Sequence, residues 1–317
     1  MHHPFISSCY LNDSQYFRPV ANGGNKFSKG DLIMRKVLLA TTALVAVGGI
    51  TAANADISIS GNYEWEYMTD DAGSYWSDDS GVAIKGTNAA DNGMTFTTMY
   101  KLGGGSDGGL AVDAAYVQVE GDFGKLILGD AENSAAQILS SPLGRNQDIE
   151  SELGQGAAET RIGIGGVSDI TWYSPNMSGF TIGISKDLAD LDAVTTDGTT
   201  DFGIKYSMSG ATVYYGATED LSSVGVSGSI AGFTVGVGSK SESGTSVKAN
   251  DVGVRYTLAN GVTIAGLSAN GTDAAGAKTK RSNIGASYTI VPGVKLNAET
   301  GKLGTRNYTW VAVNASF

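Results

Sequence analysis

In the run Ile57-Ser58-Ile59-Ser60-Gly61-Asn62-Tyr63-Glu64-Trp65-Glu66-Tyr67, the odd positions carry Ile, Tyr and Trp, Gly61 excepted, while the even positions carry Ser, Asn and Glu. Successive side chains of an extended strand point to opposite faces, so this run presents one apolar and one polar face. The same segregation returns down the chain. Phe202, Ile204 and Tyr206 flank Lys205; Val252, Val254, Tyr256 and Leu258 flank Gly253, Arg255 and Thr257; Val294, Leu296 and Ala298 flank Lys295, Asn297 and Glu299. Lys85, between Ile84 and Gly86, obeys the same rule. A Lys or Arg facing lipid at mid-membrane costs roughly 2–4 kcal/mol, and an apolar parity free of charge is what a strand between hydrocarbon and water requires. A soluble sandwich also alternates, but its polar face looks outward and its pattern needs no such vacancy. Exceptions are Leu267 and Trp310, which fall on the polar parity, and Tyr214 with Tyr215, which put an aromatic on each face.

Short breaks ending in Gly93, Gly124, Gly179, Gly210, Gly232, Gly261 and Gly293 alternate with longer polar loops. Seven short turns and eight loops separate sixteen strands, the arrangement of a closed antiparallel barrel with one tight rim and one ornamented rim. Most of these glycines are about thirty residues apart, but Gly124 and Gly179 are separated by 55. The excess lies from 130 to 168, between the strands Lys125–Gly129 and Asp169–Tyr173, and a loop of that length in a compact domain is functional or disordered. Small polar residues on the second parity, among them Thr181, Gly183, Ser185, Ser223, Gly225, Ser227 and Ser229, cannot fill an interior by apolar packing and point to water there. Phe180 and Phe233 follow turn glycines directly, as an aromatic girdle at a membrane interface requires.

Residues 34–55 read as a secretory signal: Arg35 and Lys36, an apolar stretch from Val37 to Ile50, and Ala53-Asn54-Ala55 before a cleavage at Asp56. Residues 1–33 then stand upstream of the true start at Met34, and 56–317 form the barrel. That mature segment has 262 residues, 30 of them acidic and 16 basic, a net charge of −14. Such a balance argues against a nucleic-acid partner, whose phosphates it would repel. Cys9, His2 and His3 all precede Asp56, so the segment holds no cysteine or histidine. Ser-His-Asp and Cys-His nucleophile systems, His/Cys zinc sites and disulfides are thereby closed to it, and an enzyme is not expected. With no apolar run approaching roughly 18 residues after the signal, strands alone can cross a membrane.

Three stretches carry a resemblance to a known family. They are Ala115-Tyr116-Val117-Gln118-Val119-Glu120-Gly121-Asp122-Phe123-Gly124-Lys125-Leu126-Ile127-Leu128-Gly129-Asp130, Thr171-Trp172-Tyr173-Ser174-Pro175-Asn176-Met177-Ser178-Gly179-Phe180, and the terminal Phe317 behind alternating Val311, Val313 and Ala315. Together they resemble the general porins of Gram-negative outer membranes, particularly those of α-proteobacteria. The resemblance implies an all-β, sixteen-stranded antiparallel transmembrane barrel whose long third loop folds inward, assembled as a homotrimer among membrane lipid and lipopolysaccharide. It also implies a water-filled channel for ions and small hydrophilic solutes, with Phe317 as the assembly signal.

On that resemblance the inserted loop places Asp148, Glu150, Glu152 and Glu159 at the constriction, with Arg145 and Arg161 as counter-charges. Lys85, Lys101, Lys205 and Arg255, with Arg161, form the basic pore wall opposite. An ordinary solvated acidic loop is the competing reading of 148 to 159. No cofactor is expected; Asp70-Asp71 and Asp78-Asp79 offer oxygens of the kind calcium takes, or simply keep an outer loop in water. The Gly103–Gly109 run lacks the Lys-Ser/Thr of a phosphate loop and reads as a flexible outer loop. Rival functions are a substrate-specific outer-membrane channel, which needs an aromatic or charged track, and a secreted or surface structural β-protein or adhesin.

Overall fold

The computed structural model describes residues 56–105, 109–131, 134–139, 164, 166, 168–188 and 198–317. Sixteen strands close into one antiparallel barrel in sequence order, the last pairing with the first. The first half comprises β1 (Asp56–Asp70), β2 (Gly73–Ala89), β3 (Thr95–Gly105), β4 (Ala111–Gly121), β5 (Gly124–Ala131), β6 (Ser168–Tyr173), β7 (Phe180–Lys186) and β8 (Thr200–Met208). The second half comprises β9 (Ala211–Ala217), β10 (Leu221–Ile230), β11 (Phe233–Glu242), β12 (Lys248–Thr257), β13 (Thr263–Thr272), β14 (Lys278–Val291), β15 (Val294–Leu303) and β16 (Arg306–Ser316). Among the described residues a short helix, α1 (Ala135–Leu139), follows β5.

All seven turn glycines have positive φ, between 79° and 100°. Each supplies a left-handed residue that a side chain would resist. Register then carries the parity around the circumference: Ile59 pairs with Ile84, Ile84 with Tyr100, Tyr100 with Ala115, and Val226 with Val237. The resulting outer surface exposes Ile57, Ile59, Trp65, Ile84, Val224, Val254 and Ile284 without cover. Charges on the outward parity, such as Asp78, Asp130, Lys186, Lys248, Lys280 and Lys302, sit near the loop rim, away from the middle of the wall. At the turn rim Phe180 stacks on Tyr206 at 4.0 Å and Phe233 lies 4.6 Å from Tyr256, which builds part of an aromatic belt.

Three of the expected long loops are tight turns: residues 71 and 72 join β1 to β2, 218 to 220 join β9 to β10, and 304 and 305 join β15 to β16. The polar residues read as loop continue the ladder instead: Glu64 pairs with Asp79, Trp65 with Asp78, and Asp70 with Gly73. Likewise Gly103, Gly104 and Gly105 belong to the end of β3 rather than to a flexible loop. Strands longer than the hydrocarbon thickness can run on into water, where polarity no longer marks their ends.

The closing seam is fastened at both rims. At the loop rim Arg306 pairs with Asp70, and the backbone N–H of Asn307 donates to Asp71 at 3.0 Å. Toward the turn rim Gly61 and Phe317 exchange backbone hydrogen bonds of 3.2 and 3.0 Å, and the Phe317 ring covers Gly61, where a Cβ would come within 2.5 Å of it.

Candidate functional site

The inward parity lines the lumen, and its most developed feature is α1. Ser134 heads the helix: its N–H donates to the Gly166 carbonyl at 2.6 Å, and its hydroxyl accepts from the Gln137 N–H at 3.4 Å. Ala135 donates its N–H to Ser185 Oγ on β7 at 2.8 Å. Ala135 and Leu139 pack with Ile127 of β5 and Tyr173 of β6, with Tyr116 of β4 alongside. The described start of the connection after β5, residues 134–139, therefore lies on the lumenal face of the wall.

The wall is shaped to receive it. Gly183, Gly203 and Gly216 are paired in register on β7, β8 and β9, forming a row of inward positions without side chains. A Cβ on Gly183 would lie 2.9 Å from Ala135 Cβ and 3.0 Å from Leu139 Cδ1; one on Gly203 would lie 2.5 Å from the Ala135 carbonyl oxygen. Gly183, Ser185 and Ser223, expected to face water, do not: Ser185 and Ser223 are buried, and Gly183 and Ser185 lie beneath the helix.

Of the basic wall positions, Lys85, Lys101, Lys205 and Arg255 all take the inward parity, on β2, β3, β8 and β12. They do not gather into one patch. Lys85 and Lys101 are near neighbours on adjacent strands, and Lys101 bonds Asp113 at 3.3 Å. Asp113 is the extra residue of a bulge in β4, which turns its carboxylate toward that lysine. Lys205 stands next to the α1 seat, and Arg255 is four strands further round. Asp148, Glu150, Glu152 and Glu159, with Arg145 and Arg161, lie outside the described residues.

Two further inward aromatics, Tyr308 and Trp310, form a second cluster on the opposite wall, across β1 and β14 to β16. Trp310 donates its indole N–H to Glu66 at 2.8 Å; Tyr308 donates to Glu299 at 2.6 Å, which also accepts from Asn283 at 2.8 Å and lies 3.9 Å from Arg281. Met68, Tyr308, Trp310 and Ala312 pack together there, with Leu303 against them. Trp310 thus obeys the barrel's parity, because a carboxylate on the strand across the seam satisfies its one donor. Leu267 is likewise inward and buried, opposite Gly253. Tyr215 faces out and Tyr214 faces in, beside Lys205.

At the loop rim Asp187 is held above the ordinary carboxylate range, first by partial desolvation, then by the charge of Asp169 and a hydrogen bond with it, with Asp201 adding and Lys186 opposing. Asp70 and Asp71 are engaged by Arg306, Tyr75, Asn307 and the N–H groups of Ala72 and Gly73. Asp78 accepts from Tyr63 at 3.2 Å. Among the described residues no group of three or more acidic side chains is arranged to hold a metal ion.

Comparison with known proteins agrees with this geometry. The profile of the Gram-negative porin family matches residues 40–308. Among solved structures, an engineered variant of Rhodobacter blastica porin superposes with a TM-score of 0.65 at 17% identity, covering 83% of this chain and 100% of its own. An anion-selective porin from Comamonas acidovorans gives 0.66 at 14% identity with the same coverage. No protein with a curated description matches the sequence.

Proposed function

Since the chain belongs to the Gram-negative porins and so forms a diffusion channel of the outer membrane, we propose that its selectivity is set by the loop that begins with α1. The seating of α1 on the glycine row of β7 to β9 carries this reading, because it holds the described start of the β5–β6 connection on the lumenal face. Asp148, Glu150, Glu152 and Glu159 follow within twenty residues of Leu139 and would face the basic wall of Lys85, Lys101, Lys205 and Arg255, with Arg161 on the loop itself. Opposed charges at a narrow, partly dehydrated point act at short range and sort ions by sign.

Passage is passive and unspecific toward small hydrophilic solutes. A substrate-specific channel needs a continuous aromatic or charged track along the lumen, whereas Tyr308 and Trp310 are buried and bonded to Glu299 and Glu66 and the inward Tyr75 and Tyr214 stand on distant strands, β2 and β9. The bare apolar outer surface argues equally against a secreted adhesin. A homotrimer in lipid and lipopolysaccharide, cleavage of 34–55 before Asp56, and Phe317 as the assembly signal complete the proposal; no cofactor or calcium is needed for it. Reversal potentials in a salt gradient test the selectivity reading: Glu150→Gln with Glu152→Gln shifts preference toward anions, and an unchanged potential removes these residues from the constriction.

A further inference from the structure

A cavity of about 430 Å³ opens on the lumenal face beneath α1, toward the turn rim. Its walls include Lys125 of β5 and Lys205 of β8, with Tyr173 and Thr181 on the two strands between them and Leu139 of α1 at its edge. The register explains the convergence, since Lys125 pairs with Tyr173, Tyr173 with Gly183, and Thr181 with Lys205. Both lysines therefore rise from one inward surface. The Lys125 ammonium lies 4.7 Å from the Tyr173 ring centre, a cation–π contact that keeps it over the cavity. Glu120 stands opposite Lys125 in register and also lines the space, with Gln118 donating to it at 3.2 Å. On its own side Lys205 pairs in register with Thr181 and Tyr214. Among the described residues its charged lining is Glu120, Lys125 and Lys205, one net positive charge in a chain whose residues 56–317 total −14.

We propose that this cavity is a docking point for the oxyanionic group, phosphate or carboxylate, of a permeating solute. The inference rests on the channel reading above and adds a ligand class to it. Lysines are compact point charges suited to phosphate without a fixed fork geometry. The volume falls within the range of small-molecule sites, roughly 300–1,000 Å³. Three inter-strand spacings of about 4.8 Å separate β5 from β8, a span that two long lysine side chains reach across from either side of the cavity. A weak station of this sort helps anionic solutes past an acidic lumen, because conduction needs binding strong enough to enter and weak enough to leave.

The test is block of chloride current through the purified protein in a planar bilayer by inorganic phosphate and by glucose 6-phosphate, with glucose as the uncharged comparison. Lys125→Gln and Lys205→Gln should each raise the half-blocking concentration about fivefold, the equivalent of about 1 kcal/mol for one charge at contact distance in water. Lys302→Gln, on the outward parity, should leave it unchanged. Block by phosphate alone marks the source as a free anion, and block by both extends it to solute-borne groups; either supports the site. A double variant blocked as strongly as the unmodified protein overturns the proposal. So does equal weakening by Lys302→Gln, which would reveal long-range charge only, and so does an intact current that neither oxyanion blocks. Absence of any current in the unmodified protein ends the channel reading and this inference together. Heat-modifiable migration of each variant confirms that the barrel has formed.

Discussion

Gly203→Val should unseat α1 without opening the barrel. A Cβ at this position would lie 2.5 Å from the Ala135 carbonyl oxygen and 2.8 Å from Leu139 Cβ, about 1 Å inside comfortable contact. Valine adds two methyls beyond that, and overpacking of this kind costs about 1–3 kcal/mol or more. Opposing it is the burial of Leu139, 2% exposed, worth about 1.5–3 kcal/mol, and the Ala135–Ser185 hydrogen bond, worth about 1 kcal/mol. The two sums are comparable, so the seated population falls by a factor on the order of ten for each 1.4 kcal/mol of excess clash. Gly203 does not have a positive φ and keeps its ladder partners Gly183 and Gly216, so the strand itself accepts a side chain. Single-channel recording should show larger or noisier conductance, and liposome swelling should admit larger sugars. Ser185→Ala, which removes only the hydrogen bond, should move both in the same direction by less. A folded Gly203→Val barrel with unaltered conductance and unaltered size exclusion would refute the idea that this seat holds the constriction.

Two further outcomes follow from the rims. Phe317→Ala uncovers Gly61 and removes the aromatic terminus, so the yield of heat-modifiable barrel in the outer membrane should drop; full assembly of the variant would separate the ring from biogenesis. Asp187 has a folded pKa above its unfolded value, so its contribution to stability is present in acid and is lost as pH rises through that folded pKa. Asp187→Asn should therefore be more stable than the unmodified protein near neutrality, with the gap closing as pH falls, and parallel pH profiles of barrel unfolding would count against the carboxylate pairing with Asp169.

Strand parity, strand number and the seven turn glycines were legible because each depends on neighbours in sequence: alternation along one strand and a left-handed residue at one turn. The β1–β2 connection is not legible because Ser74, Ser77, Asp78 and Asp79 look like loop residues, yet they pair with β1 once both strands extend beyond the hydrocarbon. The α1 seat was not legible. Gly183, Gly203 and Gly216 lie far apart in the chain, and only register shows that three inward glycines adjoin. An inward glycine reads the same whether water or a helix lies over it. Trp310 required its partner too, since Glu66 is 244 residues away across the seam. The Lys125–Lys205 cavity has the same character, with two intervening strands supplying its floor.

The alternation of solvents can be probed residue by residue, because the segment from 56 onward contains no native cysteine. Val224→Cys, Val226→Cys and Ser227→Cys place a thiol on β10 at two outward positions and one inward position. With the purified protein conducting in a planar bilayer, a charged, membrane-impermeant thiol reagent should reduce the current at Ser227→Cys and leave Val224→Cys and Val226→Cys unaffected. Equal reaction at all three positions, or reaction at the valines alone, would contradict a wall with hydrocarbon on one side and electrolyte on the other.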